Sequence, residues 1–429
     1  MNGGAPGHCR TRLDSSNTMQ PSNLSPVWKQ WAVLRLLPVV LLAELGTVAL
    51  NFFAVPAYLR EALGLPERVV GIVIAAYLVS EALFKGVVGH YADRLGRKRF
   101  LVMGPLIWFV TPLLTLMIPS SWGNGVVVAV VFLRVLDGLA AAMVWTAAYA
   151  MMGDATTDNQ RSQGMSLLNL CFMAGLALGF LAGGEANAAF NSYSAAFVAA
   201  SVLFGLTVVL VLSTLPDDRA HGDGHEEEHR FRDILLCFRH VPLTLTVGFI
   251  TFLGVGMPAP IVMFFAQDVY GVPVNEFGRT LVLPAGFVMA MLSLPMGTLG
   301  ARIGHERAVR FGLWLCAVGL WTISSGNWLE WARSLATTAV AVGMIGMGFL
   351  LALPAWYAFV SRINPARSGL YIGAVMAVQG FGAILGTLIG SRLYENSPFY
   401  PGIGAAIAVS VGFILSQFAA RRASGANSG

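Results

Sequence analysis

Charged residues are scarce in this sequence. Asp, Glu, Lys and Arg make up 11% of its 429 residues, whereas hydrophobic residues make up 56%. Soluble domains carry about 25% charged residues, and a surface in contact with water cannot be built from so few. Hydrocarbon must therefore cover much of the exterior. The net charge of +5 lies in short basic clusters between long apolar runs, which favours a membrane over a nucleic acid as the partner.

Cysteine is nearly absent as well. Cys9, Cys171, Cys237 and Cys316 form no CxxC pair and no metal-ligand spacing, so the sequence indicates neither a disulfide framework nor a zinc site. It also contains no nucleophile elbow, phosphate loop or nucleotide-binding motif. We therefore expect a protein that is not an enzyme, has no cofactor and draws its energy from an ion gradient rather than ATP.

The first 30 residues have no apolar core of the kind that a cleavable signal peptide needs. They are rich in Gly, Ser, Pro and Asn, a composition typical of disordered segments. We expect a cytoplasmic tail over residues 1–30, with Met19 as an alternative start to Met1.

Apolar segments of about 20 residues, the length that spans a bilayer as a helix, recur along the rest of the chain. The sequence predicts an all-α membrane protein whose twelve transmembrane helices form two six-helix bundles. The bundles cover residues 31–215 and 243–421, a charged cytoplasmic linker covers 216–242, and a short tail covers 422–429. The predicted helices cover 33–58, 69–89, 100–119, 124–150, 163–184, 193–214, 243–267, 277–298, 308–326, 332–357, 368–391 and 400–420.

The distribution of Lys and Arg predicts the orientation of these helices. With both termini in the cytoplasm, the inner segments hold 20 of the 27 Lys and Arg residues and the outer segments hold five. Basic residues concentrate in short cytoplasmic loops. We therefore expect a multi-pass protein of a bacterial-type inner membrane with both termini inside the cell.

The two predicted bundles repeat each other weakly. Parallel repeats of this kind, related by an axis along the membrane normal, are a transporter architecture. Eight positions recur at a shift of 207 or 208 residues: Gly64 and Gly271, Pro66 and Pro273, Gly71 and Gly278, Gly89 and Gly297, Arg94 and Arg302, Gly96 and Gly304, Arg99 and Arg307, and Tyr149 and Tyr357.

The loop after the second helix reads Gly-His-Tyr-Ala-Asp-Arg-Leu-Gly-Arg-Lys-Arg over residues 89–99. Glycines permit a tight turn, Asp93 can meet the positive end of a helix, and Arg97 can pair with a carboxylate. The loop resembles the cytoplasmic signature of the major facilitator superfamily, Gly-x-x-x-Asp-Arg-x-Gly-Arg-Arg/Lys, at Gly89, Asp93, Arg94, Gly96 and Arg97. The resemblance covers the chain from residue 31 and implies a secondary transporter that works by alternating access.

This loop has an expected partner at the end of the fourth helix. Asp154 can pair with Arg97, and Asp154 and Arg161 match a family pattern there. Such contacts would latch the cytoplasmic side in one of the two conformations that alternating access requires. In the second half, Ala301 and His305 replace the aspartate and the second arginine, so we expect the first-half latch to dominate.

Glu44, Arg134 and Asp137 lie near the middle of predicted helices, where ionisable residues are costly and usually functional. Glu44 and Arg134 each lie about ten residues into a helix, roughly 15 Å deep, and Asp137 follows Arg134 by one turn on the same face. Arg-Val-Leu-Asp-Gly resembles the family's fourth-helix motif, Arg-x-x-Gln/Asp-Gly, which is associated with proton coupling. We expect Glu44, Arg134 and Asp137 to form the coupling or substrate site. The alternative is an Arg134–Asp137 pair that only holds helices together.

Further polar and aromatic residues are candidates for the cavity. Glu81 and Lys85 are spaced to neutralise each other on the second helix, with Lys85 able to extend to the inner face; facing the cavity, the pair would contribute to binding. Aromatic residues of the inner helices can line the cavity, although such spacing is also typical of packing. These are Phe52, Trp145, Trp356 and Tyr357.

The fifth helix reads Gly-x-x-x-Gly-Phe-x-x-Gly-Gly over residues 175–184. It is similar to the antiporter signature of drug and metabolite exporters, Gly-x-x-x-Gly-Pro-x-x-Gly-Gly, with Phe180 in place of proline. Small residues at this spacing let helices approach closely. The eleventh helix has the same spacing at Gly382, Gly386 and Gly390, which favours a packing role for both.

The linker carries the residue types that bind iron, zinc or manganese, although solvated charged segments share this composition. They are His221, Asp223, His225, Glu226 and His229. We expect a proton-coupled transporter of a small solute, with a drug or metabolite as the first choice of cargo. The histidine and carboxylate residues of the linker suggest one alternative, an iron transporter of the magnetosome type that lies in the intracellular magnetosome membrane. A non-transporting membrane scaffold or sensor is the alternative from another class. Substrate, direction and oligomeric state are not encoded in any motif.

Overall fold

The structure is a computed structural model that describes residues 27–216, 242–363 and 368–426. These ranges are helical and contain no strand. The predicted metal tract at 221–229 lies outside the described residues, and so does most of the predicted tail over 1–30.

The first bundle contains six helices, and its predicted segments are all present. The first of them contains two π-helical stretches, Val48–Ala54 and Tyr58–Ala62. The helices are α1 (Trp31–Ala62), α2 (Glu67–Leu95), α3 (Arg97–Leu116), α4 (Asn124–Ala155), α5 (Asp158–Phe190) and α6 (Tyr193–Thr214).

The second bundle differs from the prediction in its first helix, which is broken. Pro258 and Pro260 lie in the break, and proline cannot donate the backbone hydrogen bond that would continue the helix. A π-helical turn, Gly278–Val282, precedes the next helix. The helices are α7a (Pro242–Gly256), α7b (Val262–Tyr270), α8 (Leu283–Ile303), α9 (His305–Ser324), α10 (Leu335–Ile363), α11 (Ser368–Tyr394) and α12 (Tyr400–Ala426).

Ten helices of the described ranges are long and apolar enough to cross a membrane. The broken α7 and the helix α8 complete the twelve predicted segments. The predicted fold class, an all-α membrane protein of twelve helical segments, is therefore confirmed, with the seventh segment divided in two.

Backbone geometry repeats between the halves. Gly64 and Gly271 have φ angles of 63° and 67°, and Gly96 and Gly304 have φ angles of 93° and 89°. These angles favour glycine because a side chain would be strained there. In addition, α3 packs on α4 and α6 as α9 packs on α10 and α12. The weak repeat in the sequence thus corresponds to a repeat in the structure.

Glycines of α5 form a groove for α1. A Cβ atom at Gly179 would lie 2.6 Å from the Val48 Cβ atom, and one at Gly183 would lie 2.6 Å from the Phe53 ring. In the second bundle, Gly382 and Gly386 of α11 lie against the backbone of α7a in the same way. The glycine spacing of both helices therefore serves close packing.

The apolar core of the first bundle extends into the second bundle at one end of the molecule. The larger buried cluster begins in the first bundle and continues into the second through Phe264, Phe277 and Tyr394. We call this the closed end; α1 ends and α2 begins here. The opposite end, which carries the loop of residues 89–99, is called the motif end.

Candidate functional site

A network of charged groups joins the two bundles at the closed end. The Arg60 Nη2 atom of α1 lies 2.6 Å from Asp268 Oδ2 of α7b, and its Nε atom lies 3.1 Å from Glu67 Oε1. The Tyr394 hydroxyl donates to the same Asp268 oxygen at 2.7 Å. The guanidinium also lies 4.5 Å from the centre of the Phe264 ring. We call these residues the closed-end network. Helices α1, α7b and α11 and the first residue of α2 contribute to it.

Two more ion pairs cross between the bundles at this end. Arg68 and Glu395 lie 3.3 Å apart, and the more exposed pair of Arg279 and Glu185 lies 3.7 Å apart. Backbones also touch, since a Cβ atom at Gly278 would lie 2.6 Å from the backbone of α5. Within the described part of the chain, every hydrogen bond and ion pair that we find between the bundles lies at this end.

Glu44 lies in the middle of α1 and is 3% exposed. Its Cβ and Cγ atoms lie against Gly175, where an added Cβ atom would come within 2.7 Å of both. Among the described residues, Glu81, Tyr77 and Tyr149 lie within electrostatic range of it. Among the described residues, no Lys or Arg forms an ion pair with Glu44. It is therefore a buried acid without a basic partner there.

Glu81 differs from Glu44 because it has partners. The Lys85 Nζ atom lies 2.7 Å from Glu81 Oε1, and the buried Tyr77 side chain lies within electrostatic range of the same carboxylate. Lys85 itself is half exposed. Gly138 allows α2 and α4 to approach here, since a Cβ atom there would lie 2.8 Å from the Glu81 nitrogen. The predicted neutralising pair is present.

Arg134 and Asp137 form a buried ion pair within α4. The Arg134 Nη1 atom lies 2.7 Å from Asp137 Oδ2 and donates to Asn51 Oδ1 at 2.9 Å, and Nη2 donates to Thr115 at 3.2 Å. Asp137 accepts a hydrogen bond from the Thr111 hydroxyl. The two side chains are at most 1% exposed. The pair thus joins α1, α3 and α4 inside the first bundle.

The three central charges do not form one cluster. Arg134 contacts Asn51, which lies seven residues from Glu44 along α1, or roughly 10 Å. Tyr77 lies within electrostatic range of both Glu44 and Asp137. The structure therefore places an unpaired acid and a paired acid in neighbouring layers of the bundle, with Tyr77 between them.

An aromatic cluster that includes Tyr149, a neighbour of Glu44 in electrostatic range, extends towards the second bundle. Trp145 packs on Tyr149 at 5.7 Å and on Phe172 at 5.5 Å between ring centres. Tyr149 lies within electrostatic range of Tyr357 of α10, which occupies the equivalent position in the repeat. Tyr357 donates to Gln379 at 3.0 Å.

Two other aromatic candidates are packing residues in this conformation. Phe52 meets the Tyr77 ring edge-on at 6.3 Å, and Trp356 is buried. The sequence did not identify Tyr149 or Gln379 as candidate site residues. Tyr149 was noted only as a position that recurs in the repeat, and a single polar residue such as Gln379 in an apolar helix belongs to no recognisable motif.

At the motif end, the predicted pair of Arg97 and Asp154 is present. Gly96 turns the chain between α2 and α3, and a Cβ atom at Gly89 would lie 3.5 Å from the Thr146 methyl group of α4, an ordinary contact distance. Arg94 is exposed. The side chains of Asp93 and Arg161 lie outside the described part of the structure. The pair itself joins α3 to α4 within one bundle.

The described residues contain no group of three or more His, Cys, Asp or Glu that could hold a metal ion. The predicted metal-binding tract at 221–229 is not among them.

Two six-helix bundles related by an internal repeat, with an unpaired acid buried in one of them, define a secondary membrane transporter. Comparison with known families agrees, since the model of the Major Facilitator Superfamily matches residues 36–387 and 247–427. The chain belongs to this superfamily, whose members are transporters and not enzymes.

Individual proteins are similar over almost the whole chain. Multidrug resistance protein 2 of Bacillus subtilis is 24% identical over 89% of this chain and 93% of its own length. The proton-coupled antiporter flippase LtaA of Staphylococcus saprophyticus is also 24% identical, with the same coverage. A bacterial homologue of the human lysosomal transporter Spinster, solved in an inward-facing and occupied conformation, has a TM-score of 0.72, 14% identity, and coverage of 93% and 98%.

Proposed function

We propose that this protein is a proton-coupled antiporter that exports an organic solute across a cell membrane. The names of the relatives support this proposal, because one is a multidrug resistance protein and another a proton-coupled antiporter. The excess of Lys and Arg at the motif end supports a cytoplasmic location for that end. The closed end then faces outward.

Glu44 is the proton-carrying group in this proposal, and its burial without a basic partner is the observation that carries it. Burying an unpaired charge is costly, so the carboxyl group stays buried most easily with its proton bound. It can release the proton only when water or a cationic group reaches it. Exchange of a proton for a solute at one buried acid is the simplest way to couple the two fluxes.

Arg134 and Asp137 have a different role in this proposal. Their charges already satisfy each other, and three further side chains hydrogen-bond to them. A pair of this kind holds α1, α3 and α4 in one rigid unit. Tyr77 lies within electrostatic range of both this unit and Glu44, so the two acids influence each other's surroundings.

Alternating access follows from the two ends. The closed-end network holds α1 against α7b and α11 while the motif end gives access to the cytoplasm. A solute that binds near Glu44 and Tyr149 shifts the equilibrium only by binding the two conformations unequally. The pair of Arg97 and Asp154 fixes the loop that α2 and α3 share, so the first bundle moves as one body.

The proposal is tested with purified protein in liposomes that contain a pH-sensitive dye. Cationic, anionic and neutral organic solutes and ferrous iron are added outside, and internal pH and solute uptake are both followed against protein-free liposomes. A change of internal pH that depends on an organic solute supports antiport. Solute uptake without a pH change would overturn proton coupling. Absence of any flux would favour the non-transporting scaffold, and flux with iron alone would favour a metal cargo.

A further inference from the structure

A shallow cleft, widely open to its surroundings, lies at the motif end between α9 and α12, outside the transport pathway described above. Its volume is about 380 Å³. Two arginines, three aromatic rings and one amide form it, namely Arg307, Arg310, Phe311, Trp314, Phe413 and Gln417.

Among the described residues, no acidic side chain pairs with the arginines of this cleft. Arg310 donates to the backbone oxygen of Glu306 and to the Gln417 side chain, both at 3.3 Å, and both acceptors are uncharged. Arg307 is exposed. Among the described residues, neither arginine forms an ion pair, and the carboxylate of Glu306 forms none either. Gln417 holds Arg310 in place and leaves its charge available to an anion.

The polar and apolar parts of the cleft lie at different depths. Arg307 is in the first turn of α9, and Trp314 lies seven residues further, or roughly 10 Å along the helix. The rings of Phe311 and Trp314 stack at 5.5 Å, and they are 48% and 44% exposed. A ligand that fits this arrangement has an anionic group at the end of the helix and an apolar chain that runs along it.

The first bundle shows that packing does not require these residues. α3 and α6 pack as α9 and α12 do. With the repeat shift of 208 residues, Arg310, Phe311, Trp314 and Gln417 correspond to Val102, Met103, Leu106 and Val209. The corresponding groove of the first bundle keeps one arginine, Arg99, at the position of Arg307 and is apolar at these four positions, with Met103, Leu106 and Val209 exposed. The second arginine, the amide and the exposed aromatic rings are therefore additions to the repeated fold.

We propose that this cleft binds an anionic phospholipid, with the headgroup phosphate on Arg307 and Arg310 and an acyl chain along Phe311 and Trp314. Arginine binds phosphate oxygens with charge-assisted hydrogen bonds, and basic pockets between helices on the cytoplasmic side are suited to lipid headgroups. The exposed aromatic rings favour a lipid over a free phosphate ion, because a soluble anion gains nothing from them.

The test measures binding by thermal shift of the detergent-solubilised full-length protein. The probes are short-chain phosphatidylglycerol, short-chain phosphatidylcholine and inorganic phosphate, each titrated separately. We expect phosphatidylglycerol to raise the melting temperature saturably, phosphatidylcholine to have little effect, and inorganic phosphate to have none. Arg307→Gln should weaken phosphatidylglycerol binding about fivefold, and Arg307→Gln with Arg310→Gln about thirtyfold.

Arg99→Gln is the matched control, because Arg99 occupies the position of Arg307 in the first bundle and is also exposed. It should bind phosphatidylglycerol as the wild type does. Equal stabilisation by phosphatidylcholine, equal loss in Arg99→Gln, or saturable stabilisation by inorganic phosphate would each overturn the proposal. If Arg310→Gln unfolds the protein, two other variants still test the proposal. Arg307→Gln alone and Trp314→Leu, which leaves the charges intact, should both weaken phosphatidylglycerol binding.

Discussion

The Arg60 guanidinium lies 2.6 Å from the carboxylate of Asp268, and this contact joins α1 to α7b across the two bundles. Tyr394 of α11 donates to the same carboxylate. Charge-assisted hydrogen bonds are stronger than neutral ones, and this one is only partly exposed to water. If the bundles separate at this end during transport, the contact must break. Its strength then contributes to the equilibrium between the two conformations.

Arg60→Gln should therefore favour opening at the closed end. A cysteine in place of Ala177, which lies near Gly286 of the second bundle, reports on the opening when the native cysteines are replaced. Loss of a charged hydrogen bond corresponds to about 1.5–3 kcal/mol, so labelling by a membrane-impermeant maleimide from the outside should be about tenfold faster or more.

The matched control for this experiment is Arg279→Gln, which removes a more exposed pair at the same end. It should change labelling little, because exposed pairs contribute about 0–1 kcal/mol. Unchanged labelling in Arg60→Gln would show that the contact does not hold this end closed.

Arg134→Leu should destabilise the protein by about 3–5 kcal/mol, because it leaves Asp137 buried without its partner. Arg134→Leu combined with Asp137→Leu should cost less, since neither charge then remains. Unfolding in detergent, followed by tryptophan fluorescence, measures both. Arg392→Leu, at an exposed arginine of α11, is the control. A stable Arg134→Leu protein that has lost proton coupling would place Arg134 in the coupling site after all.

Gly175→Ala should impair transport through its effect on Glu44. The new methyl group would lie 2.7 Å from the Glu44 Cβ and Cγ atoms, so the acid must move. We expect a loss of solute-driven proton flux of at least tenfold with the folded protein still recovered. Gly343→Ala in α10 is the control, because a Cβ atom there meets nothing within 4 Å. Equal flux in the two variants would show that the position of Glu44 is not critical.

The fold was predictable because lipid imposes long apolar segments, and each such segment is visible in the sequence. The repeat was also visible, since Gly64, Gly96 and their partners adopt backbone angles that glycine favours. The break in α7 was missed because mean hydropathy does not register Pro258 and Pro260. The stretch is as apolar as its neighbours.

The candidate site was predictable only in part. Buried charges such as Glu44 and Arg134 stand out in apolar helices, and Arg97 with Asp154 followed from a motif. The contacts of Arg60 could not be predicted from a motif. Asp268 lies 208 residues away, and both residues fall near predicted loops, where charged residues are common. Asn51, which binds Arg134 from another helix, also lacked a local signal. Such contacts depend on how helices pack, which a single sequence does not specify.

The proton-carrying role of Glu44 is tested most directly by Glu44→Gln in liposomes with an imposed pH gradient. Glutamine keeps the shape of the side chain but cannot bind and release a proton, so the exchange of solute for proton should stop. Solute exchange without a pH gradient should continue, because swapping one solute molecule for another moves no net proton. Glu330→Gln, at an exposed residue, should behave as the wild type. Accumulation of solute against its gradient, driven by pH, would be lost in Glu44→Gln if the account is right; accumulation at the wild-type rate would contradict it.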